Sequence, residues 1–131
     1  MRRCGSPLFC LQSALSRAAP AHPTLKQCTP PCYHHHRLRQ SAGNDGSGLA
    51  SNQNVIVVAP NYRLNVFGFT AIPNNTNNGL LDQRVALRWV RNHINKFGGD
   101  PTSITLFGQS AGGDSVMYHV ASKGSAGLFD R

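Results

Sequence analysis

The stretch SITLFGQSAGGDSVMYH, Ser103–His119, decides how the rest of the chain is read. Its first part, SITLFG, is a short apolar and β-branched run that predicts a buried strand over Ser103–Gly108. Ala111–Ser122 predicts a helix. Between them, Gly108-Gln109-Ser110-Ala111-Gly112 fits the G-x-S-x-G pattern of a nucleophile elbow. In such an elbow the serine occupies a sharp strand-to-helix turn, in a strained backbone conformation that lifts its hydroxyl clear of the sheet. Residues two before and two after the serine then approach closely, a steric reason for glycine at 108 and 112. The N–H of Ala111, at the helix N-terminus, is placed to help stabilise an oxyanion, and Gln109 lies next to the candidate nucleophile. The competing use of such a serine is to cap the helix through its own hydroxyl. Placement between a strand and a helix favours the elbow.

Upstream, Asn54–Asn61, NVIVVAPN, reads as a strand buried on both faces, as parallel strands are. A polar connection rich in asparagine and glycine follows, through IPNNTNNG. Leu80–Phe97 then predicts an amphipathic helix. Leu81, Val85 and Trp89, with Leu87, Val90 and Ile94, recur at helical spacings, and Arg84, Arg88 and Arg91 are expected outside. Gly98-Gly99-Asp100-Pro101 stops the helix, because glycine takes the left-handed cap and proline cannot continue the turn. The order strand, helix, strand, helix predicts an α/β layout with two adjacent parallel strands joined by a right-handed crossover.

The 131 residues suffice for one ordinary domain, and the net charge of +8 is unevenly placed. Residues 1–42 carry six basic residues and no acidic one, while residues 43–131 carry seven basic residues against five aspartates. Glutamate is absent, so every side-chain carboxylate is an aspartate. All four cysteines, Cys4, Cys10, Cys28 and Cys32, lie in the N-terminal third, where Pro7, Pro20, Pro23, Pro30 and Pro31 interrupt every candidate element. Residues 1–43 are therefore expected to form an irregular, basic, Pro/Cys-rich segment. Met1-Arg2-Arg3 before PLFCLQSAL weakly resembles a secretory signal, and the arginine- and serine-containing, acid-free start also resembles a transit peptide. Cys28-x3-Cys32 followed by His34, His35 and His36 suggests a metal, but Pro30 and Pro31 stiffen the loop and no second ligand pair follows. An unstructured Cys/His tract is the preferred reading. No basic-plus-aromatic pattern points to a specific nucleic-acid site, and no apolar run approaches the ~20 residues of a membrane span.

NVIVVAPNYRLNVFGF, then GLLDQRVALRWVRNHINKFGGDPTSITLFGQSAGGDSV, closely resembles the type-B carboxylesterase family, which includes cholinesterases and secreted fungal lipases. The likeness runs from Asn44 to Arg131, dividing the chain into residues 1–43, outside the family, and a partial domain over 44–131. The resemblance implies an α/β-hydrolase fold and hydrolysis of a small-molecule or lipid carboxylic ester through an acyl-enzyme, with no metal and no cofactor. It implies Ser110 as nucleophile and Ala111 N–H as oxyanion donor, and it makes secretion the favoured location. Gln109 stands where many members have glutamate. Asp82 matches a family position read as structural. Asp114 and Ser115 read as ordinary polar residues on an early helical turn, and Asn74-Asn75-Thr76 is a glycosylation sequon. Oligomeric state is left open.

The resemblance also implies partners for the serine. Triad order in this fold is serine, then aspartate or glutamate, then histidine. His119 is the one histidine after Ser110, and nine residues along one helix puts it ~13 Å away on the axis. Asp114 and Asp130 do not replace a distant acid, and His93 reads as solvent-facing or loosely packed. The HGGG-type turn that supplies the second oxyanion donor should precede Val55, yet residues 1–53 contain no such run. The expectation is a truncated fragment with negligible catalysis of its own. A non-catalytic, cholinesterase-like binding or adhesion module is the alternative, although such modules typically lose the nucleophile that Ser110 retains.

Overall fold

Ile56, Val57 and Val58 are all buried, so the strand they form is covered on both faces and its backbone needs partners on both edges. The computed structural model supplies them. It describes the backbone of Pro7–Gln12 and Thr24–Lys26, together with residues 46–71, 73 and 76–131. Pro7–Gln12 is strand β1, Thr24–Lys26 is β2, Ile56–Ala59 is β3 and Thr105–Gln109 is β4. They form one sheet in the order β2-β3-β1-β4. β1 runs parallel to β3 on one side and to β4 on the other, and β2 closes the far edge antiparallel to β3.

Two expectations are corrected by this order. The strands on either side of the long helix are not adjacent, because β1 lies between them. The segment 1–43, expected to be irregular, contributes β1 and β2. The physical reason is shared. PLFCLQ is too short to show a period and opens on a proline, so its strand state is set by long-range pairing and not by local propensity. The long connection from β3 to β4 has the reach to cross over an intervening strand, and that strand satisfies the backbone groups of both neighbours. The Met1-Arg2-Arg3 start, the Cys28/Cys32/His34–His36 tract and Asn74-Asn75 of the sequon lie outside the described residues.

Helix α1 spans Ser47–Gln53 and α2 spans Asn65–Phe69, the latter within the stretch read as a polar connection. Asn78–His93 forms α3, continued by a 3₁₀ turn over Ile94–Phe97. Gly98 ends that turn at φ 84°, the left-handed cap that glycine adopts without a Cβ penalty. Ala111–Ala121 forms α4. Ile56, Val58, Leu87, Val90, Ile94, Ile104 and Leu106 make the buried apolar core, with Trp89, Phe97, Val116 and Phe129 packed against it.

One of the two helical stripes on α3 faces that core. Leu87, Val90 and Ile94 are buried, whereas Leu81 and Val85 are exposed. Arg84, expected outside, bends inward and bonds to Ser122 and Ser125. Arg91 approaches Asp130 at 3.5 Å. The last residues run beside β4 on the edge away from β1. Leu106 N–H donates to the Arg131 carbonyl at 2.7 Å, and Asp130 N–H donates to the Ile104 carbonyl at 2.8 Å. Asp130 also accepts the Ile104 N–H through its carboxylate at 2.9 Å. Among the described residues no helix is long and apolar enough to cross a membrane.

Candidate active site

Ser110 joins β4 to α4 with φ 55° and ψ −127°. Among the described residues the other non-glycine positions with positive φ are Asn54, Asn65 and Asn77, the residue type that best tolerates the left-handed region. Ser110 has no such tolerance, and its ψ lies far outside the left-handed well. Holding it there costs about 1–3 kcal/mol, supplied by the strand and helix on either side. Its carbonyl accepts the Asp114 N–H at 3.1 Å, which starts the helix. Its side chain makes no capping hydrogen bond. The competing use of this serine, as a side-chain cap, is therefore not the one adopted.

The residues around it differ in exposure. Ser110, Ala111 and Gln109 are exposed, Gly108 is half-buried and Gly112 is buried. A Cβ on Gly113 would lie 3.5 Å from the Gly108 carbonyl oxygen, so the first turn of α4 packs back onto the end of β4. The register pairs Gln12 of β1 with Gln109, which brings the carboxyl ends of both parallel strands to the level of Ser110. Open α/β sheets hold their ligands at that end. Asp114 lies exposed in the first turn, where a carboxylate complements the positive end of the helix.

Both described histidines are committed elsewhere. His93 stacks on Trp89 with ring centroids 5.0 Å apart, and its Nδ1 lies 2.9 Å from the Trp89 carbonyl oxygen. His119 is 2% exposed, its Nδ1 2.9 Å from Ser125 Oγ and its Nε2 2.9 Å from Gln83 Oε1. Burial first, and the nearby Arg84 charge second, push its pKa below the ordinary 6.5, so the ring is neutral at pH 7. The nitrogen that a general base would use is occupied.

Gln83 carries the network onward. Its Nε2 donates to Ser115 Oγ at 3.2 Å, and Ser115 Oγ donates to the Ala111 carbonyl at 2.9 Å. Ser115, read as a polar residue on an early helical turn, is on that turn and is 5% exposed, with its hydroxyl turned into the network. Gln83 and Ser125, both fully buried, are the residues that the sequence reading missed. A signal for Gln83 was present: it continues the core stripe of Leu87, Val90 and Ile94 one turn back. Around Ser125, a Cβ on Gly124 would come within 2.6 Å of Arg84 Nη1, so the missing side chain lets the guanidinium lie across this turn.

Asp82, one residue before Gln83, faces the other way. Its carboxylate accepts from Arg63 Nε and Nη2, both at 2.8 Å, and from the Arg63 backbone N–H at 3.1 Å. This clasp ties the loop after β3 to α3, the structural role expected for Asp82. Those hydrogen bonds hold the Asp82 carboxyl below its ordinary 3.8 against the opposing effect of burial. Among the described residues no three His, Cys, Asp or Glu side chains gather as a metal site.

Comparison with known proteins adds to this geometry. The model of the carboxylesterase family matches residues 35–131, beginning ahead of Asn44, where the likeness was read from the sequence. A carboxylic ester hydrolase of Bombus ignitus is 56% identical over 88 residues, covering 63% of this chain and 16% of that protein. Venom carboxylesterase-6 of Apis mellifera is 50% identical over 97 residues, 70% of this chain and 17% of that protein. Acetylcholinesterase of Bungarus fasciatus is 48% identical over 91 residues, 66% of this chain and 15% of that protein. The matched stretch thus spans 15–17% of the length of these curated relatives.

Proposed function

The chain belongs to the carboxylesterase family, and from that membership we propose that it carries the nucleophile segment of a carboxylic ester hydrolase. Ser110 Oγ attacks the carbonyl carbon of a small-molecule or lipid ester. As the Oγ–C bond forms, the carbonyl electron pair moves onto oxygen, and the Ala111 N–H stabilises the resulting oxyanion. The Ser110 proton passes to the histidine base that the family's triad order implies, which returns it to the departing alkoxide, so collapse expels the alcohol and leaves an acyl-enzyme for water to resolve. The observation that carries this reading is the conformation of Ser110, a strained turn residue whose hydroxyl makes no capping bond. Side-chain capping would be the ordinary reason to keep a serine there, and strain without it is what a presented nucleophile requires. The same observation disfavours a non-catalytic binding module, which has no use for the strain.

The described residues include the proposed nucleophile and one oxyanion donor, while His119 and His93, the two described histidines, are bonded elsewhere. Loss of the histidine base alone costs on the order of 10⁶ in kcat. The isolated chain is therefore expected to give no measurable turnover of p-nitrophenyl acetate and no stoichiometric adduct with a fluorophosphonate probe. Residues 44–131, exchanged into the matching stretch of the Apis mellifera relative, test the nucleophile in the setting of a whole enzyme. The chimera should hydrolyse the ester, and Ser110→Ala should lower kcat by at least ~10⁴. An active chimera indifferent to Ser110→Ala would overturn the assignment, and stoichiometric labelling of the isolated chain would overturn its inactivity.

A further inference from the structure

The start of α4 is built from weak material. Ala111, Gly112 and Gly113 open the helix, and each glycine costs about 1 kcal/mol relative to alanine in a helix interior. If Ala111 N–H is an oxyanion donor, it must nevertheless be held in one direction, because a donor that reorients during reaction loses most of its advantage. The Ala111 carbonyl belongs to the first turn of α4, so a bond that holds it narrows the motion of the turn that carries the Ala111 N–H.

Ala111, Ser115 and His119 lie four residues apart and form one stripe of α4, facing Gln83 of α3. The hydrogen bonds along that stripe have one consistent direction. Gln83 Oε1 can only accept, so the neutral His119 ring keeps its proton on Nε2, and its bare Nδ1 accepts from Ser125 Oγ, which in turn accepts the Arg84 Nε–H at 3.3 Å. The Nε2 proton goes to Gln83 Oε1. That leaves the Gln83 amide N–H₂ facing Ser115 Oγ, which cannot donate back to it. The Ser115 proton goes to the Ala111 carbonyl at 2.9 Å. Gln83, Ser115, His119 and Ser125 are each at most 5% exposed, so the bonds among these four side chains are shielded from water.

We propose that Ser115 is a positioning residue that acts through Ala111, and that the Gln83 amide N–H₂, which cannot accept the Ser115 proton, leaves that proton directed to the Ala111 carbonyl. Its use in ester hydrolysis rests on the function proposed above, but the restraint itself does not. Two substitutions at residue 83 separate positioning from simple packing. Gln83→Met removes both polar ends at similar volume: it deprives His119 of its acceptor yet leaves the Ser115 proton on the Ala111 carbonyl. Gln83→Glu keeps the shape and the acceptor for His119, but a carboxylate accepts only, so it draws the Ser115 proton away from Ala111.

The experiment is ¹⁵N relaxation on the full 131-residue chain, read at the Ala111 N–H, with α3 amides as an internal reference. In the parent chain the order parameter at Ala111 should match rigid backbone, ~0.85, and in Ser115→Ala it should fall below ~0.6 while α3 is unchanged. Gln83→Glu should behave as Ser115→Ala does, Gln83→Met as the parent, and Ser115→Thr, which keeps a hydroxyl, should restore the parent value. An Ala111 order parameter indifferent to Ser115→Ala, or lowered as much by Gln83→Met as by Gln83→Glu, overturns the proposal. None of these readings involves ester turnover, so an inactive Ser110 would leave the result standing, and Ser110→Ala would fail only in the hydrolysis assay.

Discussion

Asp82 and Gln83 sit side by side on α3, yet one holds an ion pair at the rim and the other a neutral network in the core. The Arg63 and Asp82 side chains are 51% and 18% exposed, whereas Gln83 is fully buried. At the rim, water screens the charges and offers either partner an alternative, so the clasp contributes chiefly by fixing the loop after β3. In the core no alternative exists, and a polar group that loses its partner bears the whole cost of desolvation. Neutral groups are therefore used inside and charged ones outside. Arg84 marks the boundary, with its guanidinium anchoring the network from a half-buried position.

The largest effect should come from breaking the buried side. His119→Ala leaves Gln83 Oε1 and the Ser125 hydroxyl without their partner and opens a cavity where a fully packed ring stood. Orphaned groups and cavity together should cost about 3–5 kcal/mol, read as a lower urea midpoint at unchanged m-value. A loss below about 1 kcal/mol would show that the network is not the stronger of the two devices.

How far this contrast was legible in the sequence differs between the two residues. The family resemblance implied a structural role for Asp82, and the Arg63 clasp gives that role a geometry. Gln83 was passed over because a polar residue on an apolar stripe is discounted when a helix is read by hydropathy. Periodicity proposed two stripes on α3 and could not choose between them, since the choice depends on where the sheet and α4 lie. Leu81 and Val85 were grouped with the core for that reason, and both are exposed. β3, α3, β4 and α4 were legible because each carries its own period or a bounded apolar run. β1 was not, because nothing in PLFCLQ announces pairing with strands some fifty and a hundred residues away. The strand-to-helix turn at Ser110 was the most legible feature of all, since β4 and α4 are bounded by their own patterns on either side of it. Its supporting network was the least legible, since each bond joins residues on different elements.

A smaller effect separates the two regions by pH. The His119 pKa is lowered in the folded chain, so below about 6.5 the unfolded chain binds a proton that the folded chain resists. The stability due to neutral His119 is complete above pH 6.5 and declines as pH falls from there toward the lower folded value. Asp82 has a depressed pKa as well, but its window opens only below 3.8, where protonation dissolves the clasp with Arg63. Urea midpoints followed downward from pH 7.5 should therefore fall in two separate stages. His119→Ala should remove the first and Asp82→Asn the second. A single stage near pH 4, unaffected by His119→Ala, would mean that the histidine titrates as freely as a surface residue.

The smallest effect is expected at the clasp itself. Asp82→Asn keeps an oxygen that can accept the Arg63 backbone N–H and one guanidinium N–H, and it removes only the charge. Arg63 remains solvated throughout, so no buried cation is stranded. The loss of stability should be well below that of His119→Ala, and it should shrink further between 0.05 and about 1 M salt, where the screening length falls to ~3 Å. The His119→Ala deficit should hardly change over the same range, because no ion pair is broken in making it. Salt thus tests the contrast at its root: if the two deficits responded to ionic strength alike, the division between a screened rim and a neutral core would not describe this helix.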